Sequence, residues 1–454
     1  MTRRILTVAR GLAGAFLAGD WDPPLMTRRG QRAVGQRRVW VRDLALAARH
    51  EFPSPPRDRP YELARFLAAC PPLTKAFAVA GRRSEPPPSV RRWFFAPTAM
   101  GHAPWPVATI DNLADLGAML GLSIGDLAWF CDTKQLEKTV VEERLRHYHY
   151  RWAVKATGGI RVIEEPKPLL KHFQRVVLRE ILDQIPVHRA AQGFCRGRSA
   201  LTFAAGHSGQ SVLVHVDLED FFGSIAAGRV FGIFRQAGFP EPVAHALTGF
   251  VTNTVPRATW SAIPRPESPI LLSAHRRLGS NLTHPHLPQG APTSPAIANL
   301  AAFALDRRLS AMAVAAGGTY SRYADDLAFS WSIRRSNKEL DRLLALVTRI
   351  VAEEGFRVNP LKTSVRRAGE RQRLAGVVIN ARPNVERREY ELLKATLHNA
   401  GQAGPTGQNR GQHPRFREHL AGRISWVNQL NPARGERLLV AFHRIDWNEV
   451  AAEP

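Results

Sequence analysis

Two hydrophobic rhythms alternate along the chain, and each predicts its own elements. Leu63, Phe66, Leu67 and Cys70 recur at helical spacing, which predicts a helix in the N-terminal part. Leu113, Leu116 and Leu120 share one helical face, Gly121 supplies a stop, and Ser123 opens a second helix carrying Leu127 and Phe130. Ser336 and Glu339 form a capping box for a longer helix whose Leu340, Leu343, Leu344, Val347 and Ile350 make one apolar stripe. Helical spacing returns from Leu392 to Ala400 and from Leu420 to Leu430, on either side of a Gly-rich segment, 401–407.

Other stretches follow the rhythm of strands. Trp152 to Lys155 and Ile160 to Val162 flank Thr157-Gly158-Gly159 and predict a hairpin, closed by Glu165-Pro166-Lys167-Pro168 and followed by a basic helix with Lys171, His172, Arg175 and Arg179. The apolar run from Ser211 to Val216 reads as a buried strand and ends abruptly at Asp217. From Thr319 to Trp331, aromatic and β-favouring residues flank Tyr323-Ala324-Asp325-Asp326, a hairpin with both aspartates at or just past its turn. A long helix is expected from Ser294 through Leu309. Residues 252–286 lack periodicity and read as a surface insertion. Alternating strands and helices make the fold class α+β.

Composition narrows the partners. Lys and Arg outnumber Asp and Glu by 63 to 39 over 454 residues, a net charge of +24, and the sequence pI is near 11.1. The cations are interleaved with aromatics along the whole chain, which suits a groove for nucleic acid better than a single membrane-facing helix. Three cysteines, Cys70, Cys131 and Cys195, form no Cys-x-x-Cys pair, so neither a zinc site nor a disulfide framework is indicated and a reducing cytoplasm is expected. The start, Met1-Thr2-Arg3-Arg4-Ile5-Leu6 and an apolar stretch to Gly19, looks like a secretory leader, but Arg10 interrupts it. It is read as a basic amphipathic segment. No uncharged apolar run of about 18 residues is present, so no membrane span is expected.

The carboxylates carry the chemistry. An aspartate doublet can simply shape a bend. A second strand ending in Asp217 changes that reading, because two such ends side by side would gather three carboxylates. Such a cluster suits two divalent ions roughly 4 Å apart that activate an attacking oxygen and stabilise a leaving one.

The Tyr-Ala-Asp-Asp doublet, Asp217 with Phe221-Phe222, and Leu287-Pro288-Gln289-Gly290-Ala291-Pro292-Thr293-Ser294-Pro295 between them resemble, in order and spacing, the motifs of reverse transcriptases, and most of all the bacterial retron enzymes with an N-terminal extension. The resemblance runs from about Leu113 to Trp447. It implies a right-hand polymerase: a basic, Pro-interrupted, mainly helical extension over 1–106, fingers and palm with a small helical lead-in over 107–380, and a helical thumb over 381–454. It implies that Asp217, Asp325 and Asp326 are catalytic and, with the Leu218 carbonyl, hold two Mg2+ ions. Lys155, Arg161, Phe222 (a steric gate against the ribose 2′-hydroxyl), Gln289, Gly290 and Lys362 would meet the nucleotide, Lys362 from the loop Val358 to Thr363. Arg196, Arg198, His207 and Gly376 would meet RNA.

The same resemblance implies dNTPs, a structured RNA that is template and primer, an RNA–DNA hybrid, and a separate retron effector protein as partners, in antiphage defence. Two departures stand out. Phe203 replaces the asparagine usual before the His207 position, and Leu374-Ala375-Gly376 replaces the usual Val-Thr-Gly. The alternatives are another bacterial reverse transcriptase, defence-associated or intron-derived, and a catalytically retired RNA-binding scaffold. The extension is expected to be dispensable for bare polymerisation.

Overall fold

A computed structural model describes residues 3–35, 38–155 and 158–447. Two compact units divide the chain, Met1–Pro186 with Ile225–Ile297, and Val187–Ser224 with Ala298–Pro454.

The first unit begins with five helices, Arg3–Leu17, Pro23–Val34, Val39–Glu51, Pro60–Ala69 and Pro71–Arg82. Three of them start on a proline, whose fixed φ suits the first helical position and whose missing N–H costs nothing there. Leu12, Phe16, Met26, Leu44 and Leu63 meet in a fully buried core, so the leader-like segment is a core helix. Arg29 donates from Nε to the Ala15 carbonyl (2.8 Å) and from Nη2 to that of Phe16 (3.0 Å), satisfying carbonyls that the end of the first helix leaves open.

This helical layer is joined to the helices Ala227–Gln236 and Glu241–Val251. Glu241, 3% exposed, accepts from the Tyr61 N–H (2.6 Å) and the Glu62 N–H (3.2 Å), capping the helix Pro60–Ala69 from a distance. Arg235 donates to Asp58 at 2.9 Å, and the Gly101 N–H donates to the Gly238 carbonyl at 2.7 Å. Removing residues 1–106 would strip a buried carboxylate of both donors, which costs about 1–3 kcal/mol or more. A chain starting at Val107 is therefore expected to be less stable than the full chain. Soluble yield and melting temperature check this.

Later in the same unit, β1 (Tyr148–Val154) and β2 (Ile160–Pro166) form the expected antiparallel hairpin, Tyr148 opposite Pro166 and Val154 opposite Ile160. Thr157 of the predicted turn lies outside the described residues; Lys155 and Gly159 close the loop with an N–H to carbonyl bond of 2.7 Å. Residues 252–286 are not an irregular insertion. Helices Arg257–Ser261 and Pro269–Leu282 fill most of the segment, and Leu278 and Leu282 of the second, with Ile263 between the two, share a core with Ile160 and Val162 of β2. The single helix expected from Ser294 to Leu309 is two, Ser294–Ala301 and Phe303–Ala315, broken at Ala302.

The second unit is built on β3 (Val212–Leu218), β4 (Thr319–Tyr323), β5 (Asp326–Trp331) and β6 (Val358–Arg367), in the antiparallel order β4-β5-β3-β6. The helix Asn337–Glu353 opens with the predicted Ser336–Glu339 capping box. A short hairpin, β7 (Arg373–Leu374) and β8 (Val377–Val378), precedes helices Arg387–Ala403, Phe416–Leu430 and Pro432–His443. Their Leu393, Leu397, Leu420 and Ile424 share one core with Phe203, Leu213 and Ala328. No single helix among the described residues is long and apolar enough to cross a membrane.

Candidate active site

The register of β3 against β5 sets Asp217 opposite Asp326, while Ala324 and Asp325 turn the chain between β4 and β5. Ala324 holds φ at +54°, a left-handed conformation that costs a non-glycine residue energy. Three contacts hold it there. The Leu218 N–H donates to the Asp325 carbonyl (3.0 Å), Arg322 Nη1 donates to the Ala324 carbonyl (3.0 Å), and Gly193 packs so close that a Cβ on it would stand 2.8 Å from the Ala324 nitrogen.

Arg322 is in turn fixed from below. It is fully buried, and so is Asp306 in the helix Phe303–Ala315; the guanidinium grips that carboxylate through Nε (2.8 Å) and Nη2 (2.7 Å), and the Tyr320 hydroxyl donates to the same carboxylate at 2.8 Å. This bidentate geometry is the form in which a buried pair offsets its desolvation.

The carboxylates are not gathered into one closed ligand set. Asp217, 4% exposed, accepts from Lys362 Nζ (2.7 Å) and Asn359 Nδ2 (3.1 Å), and Asp326 is hydrogen-bonded to His215 Nε2 at 2.8 Å. Burial, then repulsion from Asp326 and Asp217, raises the pKa of Asp325 above the ordinary aspartate value. Partial burial works to lower the pKa of Lys362, but its bond to Asp217 and the charges of all three aspartates outweigh that and raise it. Burial likewise works against a charged His215, and the bond to Asp326 reverses the shift. Three crowded, mutually repelling carboxylates of hard oxygen donors fit divalent ions of the magnesium kind, which would relieve that repulsion.

Lys362 reaches the site because the strand pairing slips. Ser364 faces His215, yet Asn359 faces Asp217, so four residues of β6, 360–363, stand against Val216 alone and bulge out. Val358 to Thr363 is thus part of a strand rather than a loop. Sequence reasoning missed His215 and Asn359. His215 had a signal: two residues before Asp217 on a strand, it lies on the same face.

Other expected residues fall where their chemistry can be compared. Phe221 is 4% exposed and packs on Phe356 at 5.5 Å, whereas Phe222 is half-buried beside Phe194 at 6.3 Å, which favours Phe222 as the residue able to touch a ligand. Lys155, Arg161, Gln289 and Gly290 belong to the other unit; Arg161 is exposed on β2, and the Glu164 N–H donates to the Gln289 carbonyl at 2.8 Å.

The RNA-facing expectations need correction. His207 is 0% exposed, its Nδ1 and Nε2 each 2.7 Å from a hydroxyl, Ser330 and Ser321, and burial pushes its pKa down to about 4. It braces the β4–β5 hairpin and cannot touch RNA. Phe203 is also fully buried, 5.7 Å from Tyr323 between ring centres, so its departure from asparagine concerns packing. Arg198 turns inward to the carbonyls of His188 (3.3 Å), Arg189 (3.2 Å) and Ala191. Arg196 is exposed on the same loop, and Gly376, with φ +86°, sits in the turn of the β7–β8 hairpin.

Paired strand ends bearing three carboxylates, with a cationic lysine among them, are the equipment of a nucleotidyl-transferring enzyme of the polymerase kind. Residues 153–379 match the reverse transcriptase (RNA-dependent DNA polymerase) family. The chain is 37% identical over 357 residues to the Retron Mx162 reverse transcriptase of Myxococcus xanthus, covering 76% of this chain and 69% of that protein. It is 28% identical over 288 residues to the Retron Ec86 reverse transcriptase of Escherichia coli, covering 63% and 77% respectively. The chain belongs to the retron-type reverse transcriptases and is an RNA-directed DNA polymerase.

Proposed function

We propose that this polymerase makes a short DNA from one dedicated structured RNA, priming from an internal ribose 2′-hydroxyl, and serves antiphage defence with a separate effector. The likeness to retron enzymes supports this, and the observation that carries the catalytic part is Asp217 opposite Asp326 with Asp325 in the adjoining turn. In this reading the four-stranded sheet is the palm, the β1–β2 hairpin belongs to the fingers, and the last three helices are the thumb.

Asp217 and Asp325 would hold two Mg2+ ions, with Asp326 and the Leu218 carbonyl as further oxygen ligands. When bound, such ions activate the priming hydroxyl and neutralise the leaving pyrophosphate. Lys362, whose ammonium stands 2.7 Å from Asp217, gives its proton to the departing pyrophosphate oxygen. Lys155 and Arg161 take the triphosphate, Arg161 bidentately. Gln289 and Gly290 lie along the nucleotide, and Phe222 excludes a 2′-hydroxyl by bulk. Arg196 and the thumb hold the RNA through its backbone, which positions without reading sequence.

The test is expression with the native flanking DNA, followed by analysis of the short DNA produced. A product joined to RNA through a 2′,5′ branch is expected. Only 3′-primed or untemplated DNA would overturn the retron-type priming while leaving a reverse transcriptase.

A further inference from the structure

Behind the Leu287–Pro295 loop, the first unit buries a polar cluster that no motif announces. Glu164 on β2 and His286, just ahead of the loop, are each 1% exposed, with Oε1 and Nε2 2.9 Å apart. The second carboxylate oxygen accepts from Asn253 Nδ2 at 2.7 Å. Asn253 and His286 exchange both backbone bonds, 2.9 Å each. Glu164 also carries the loop on its own backbone. Its N–H donates to the Gln289 carbonyl at 2.8 Å, and its carbonyl lies 2.7 Å from where a Cβ on Gly290 would stand. Gly290, at φ +138°, is therefore required by contact as well as by conformation.

The partners of the imidazole decide its charge. Nδ1 meets the His284 carbonyl at 2.8 Å and Nε2 meets the Glu164 carboxylate; a carbonyl accepts only, and so does an ionised carboxylate. A neutral ring has one N–H, so one contact would set lone pair against lone pair. Both are hydrogen bonds when the ring carries two protons. His207 shows the contrast, because its two hydroxyl partners can each donate or accept and leave that ring neutral.

We propose that Glu164 and an imidazolium at His286 form a buried clamp that fixes Gln289 and Gly290 against the β1–β2 hairpin, which makes them positioning residues for the incoming nucleotide. The inference rests on reading Gln289 and Gly290 as nucleotide-facing. Burial works to keep His286 neutral, but Glu164 overrides it and lifts the pKa above the ordinary histidine value. The other titratable groups of the cluster are Glu137, Tyr150 and Tyr148. Tyr150 accepts from Asn253 (3.1 Å) and donates to Glu137 (2.8 Å), and burial keeps both tyrosines neutral. A raised folded-state pKa means that the clamp is complete below the ordinary histidine range. It is lost as pH rises through the raised value.

The test is steady-state primer extension by the full chain on a fixed RNA template with dNTP varied, from about pH 6 to about pH 9.5, a range that begins below the ordinary histidine value and runs above it. In the wild type KM for dNTP should rise at least about fivefold across this range, with kcat changing less. Glu164→Gln removes the need for the proton: its amide can donate to Nε2 of a neutral His286 while its oxygen still accepts from Asn253. That variant should match the wild-type KM at the acid end and stay flat. His286→Phe, which leaves Glu164 without its counter-charge, should raise KM throughout; if it fails to fold, the Glu164→Gln comparison still decides. Gln289→Ala reports on the underlying reading. If Gln289→Ala raises KM but wild type and Glu164→Gln share one pH profile, the clamp is overturned alone. If Gln289→Ala leaves KM unchanged, the loop does not face the nucleotide and the clamp falls with that reading.

Discussion

Asp325→Asn is expected to abolish primer extension in magnesium while leaving RNA binding nearly unchanged. Asparagine keeps the size and the turn, whose geometry depends on the carbonyls of Asp325 and Ala324 accepting from the Leu218 N–H and the Arg322 guanidinium rather than on the carboxylate. What it loses is the charge that offsets a dication. The loss should be at least about a thousandfold, the scale of several kcal/mol of transition-state stabilisation. A second readout separates this from unfolding. Asp325 is destabilised by burial and by two neighbouring aspartates, so removing its charge should leave the metal-free melting temperature unchanged or raised. Near-wild-type synthesis would remove Asp325 from the metal site, and a lowered melting temperature would mean that the loss is structural.

The second large effect is expected far from any substrate. Asp306→Ala leaves the Arg322 guanidinium fully buried without its counter-charge, and breaking such a pair costs about 3–5 kcal/mol. Chemical denaturation of the variant should register that loss. A double variant, Asp306→Ala with Arg322→Met, discriminates packing from positioning. It removes both charges, so most stability should return, yet the bond from Arg322 to the Ala324 carbonyl is gone and the strained turn bearing Asp325 is held less firmly. Primer extension should therefore recover far less than the melting transition. Equal recovery of both would reduce the pair to a stabilising contact with no hold on the site.

Local signals in the sequence served well wherever the cause is local. The Gly121 stop, the Ser123 cap, the Ser336–Glu339 capping box and the strand ending in Asp217 all appear as expected. The N-terminal extension is helical, as expected, but the spacing singled out one helix there where five stand, because a proline can open a helix as well as end one. Pro23, Pro60 and Pro71 are helix starts, and so is Pro269 in the supposed insertion. The site's three aspartates were legible, but their partners were not, since Lys362 and Asn359 reach Asp217, and His215 reaches Asp326, across more than a hundred residues of chain. His207 misled for a different reason. A histidine that hydrogen-bonds two buried serines looks, in sequence, like one reserved for a ligand.

The place of β3 in its sheet bears on how the protein is made. It is an interior strand, paired on one side with β5 and on the other with β6, and both partners come later in the chain. During synthesis Val212 to Val216 must wait about a hundred residues for β5, roughly 5–20 s at ribosomal rates of about 5–20 residues per second. Over that interval a nearly all-apolar strand has two open edges, the situation in which nascent chains pair with one another. His215 and Asp217 are its polar interruptions. The residues that equip the strand for chemistry therefore also act as gatekeepers of the nascent chain, and replacing both with apolar side chains would be paid for in yield before it was noticed in activity.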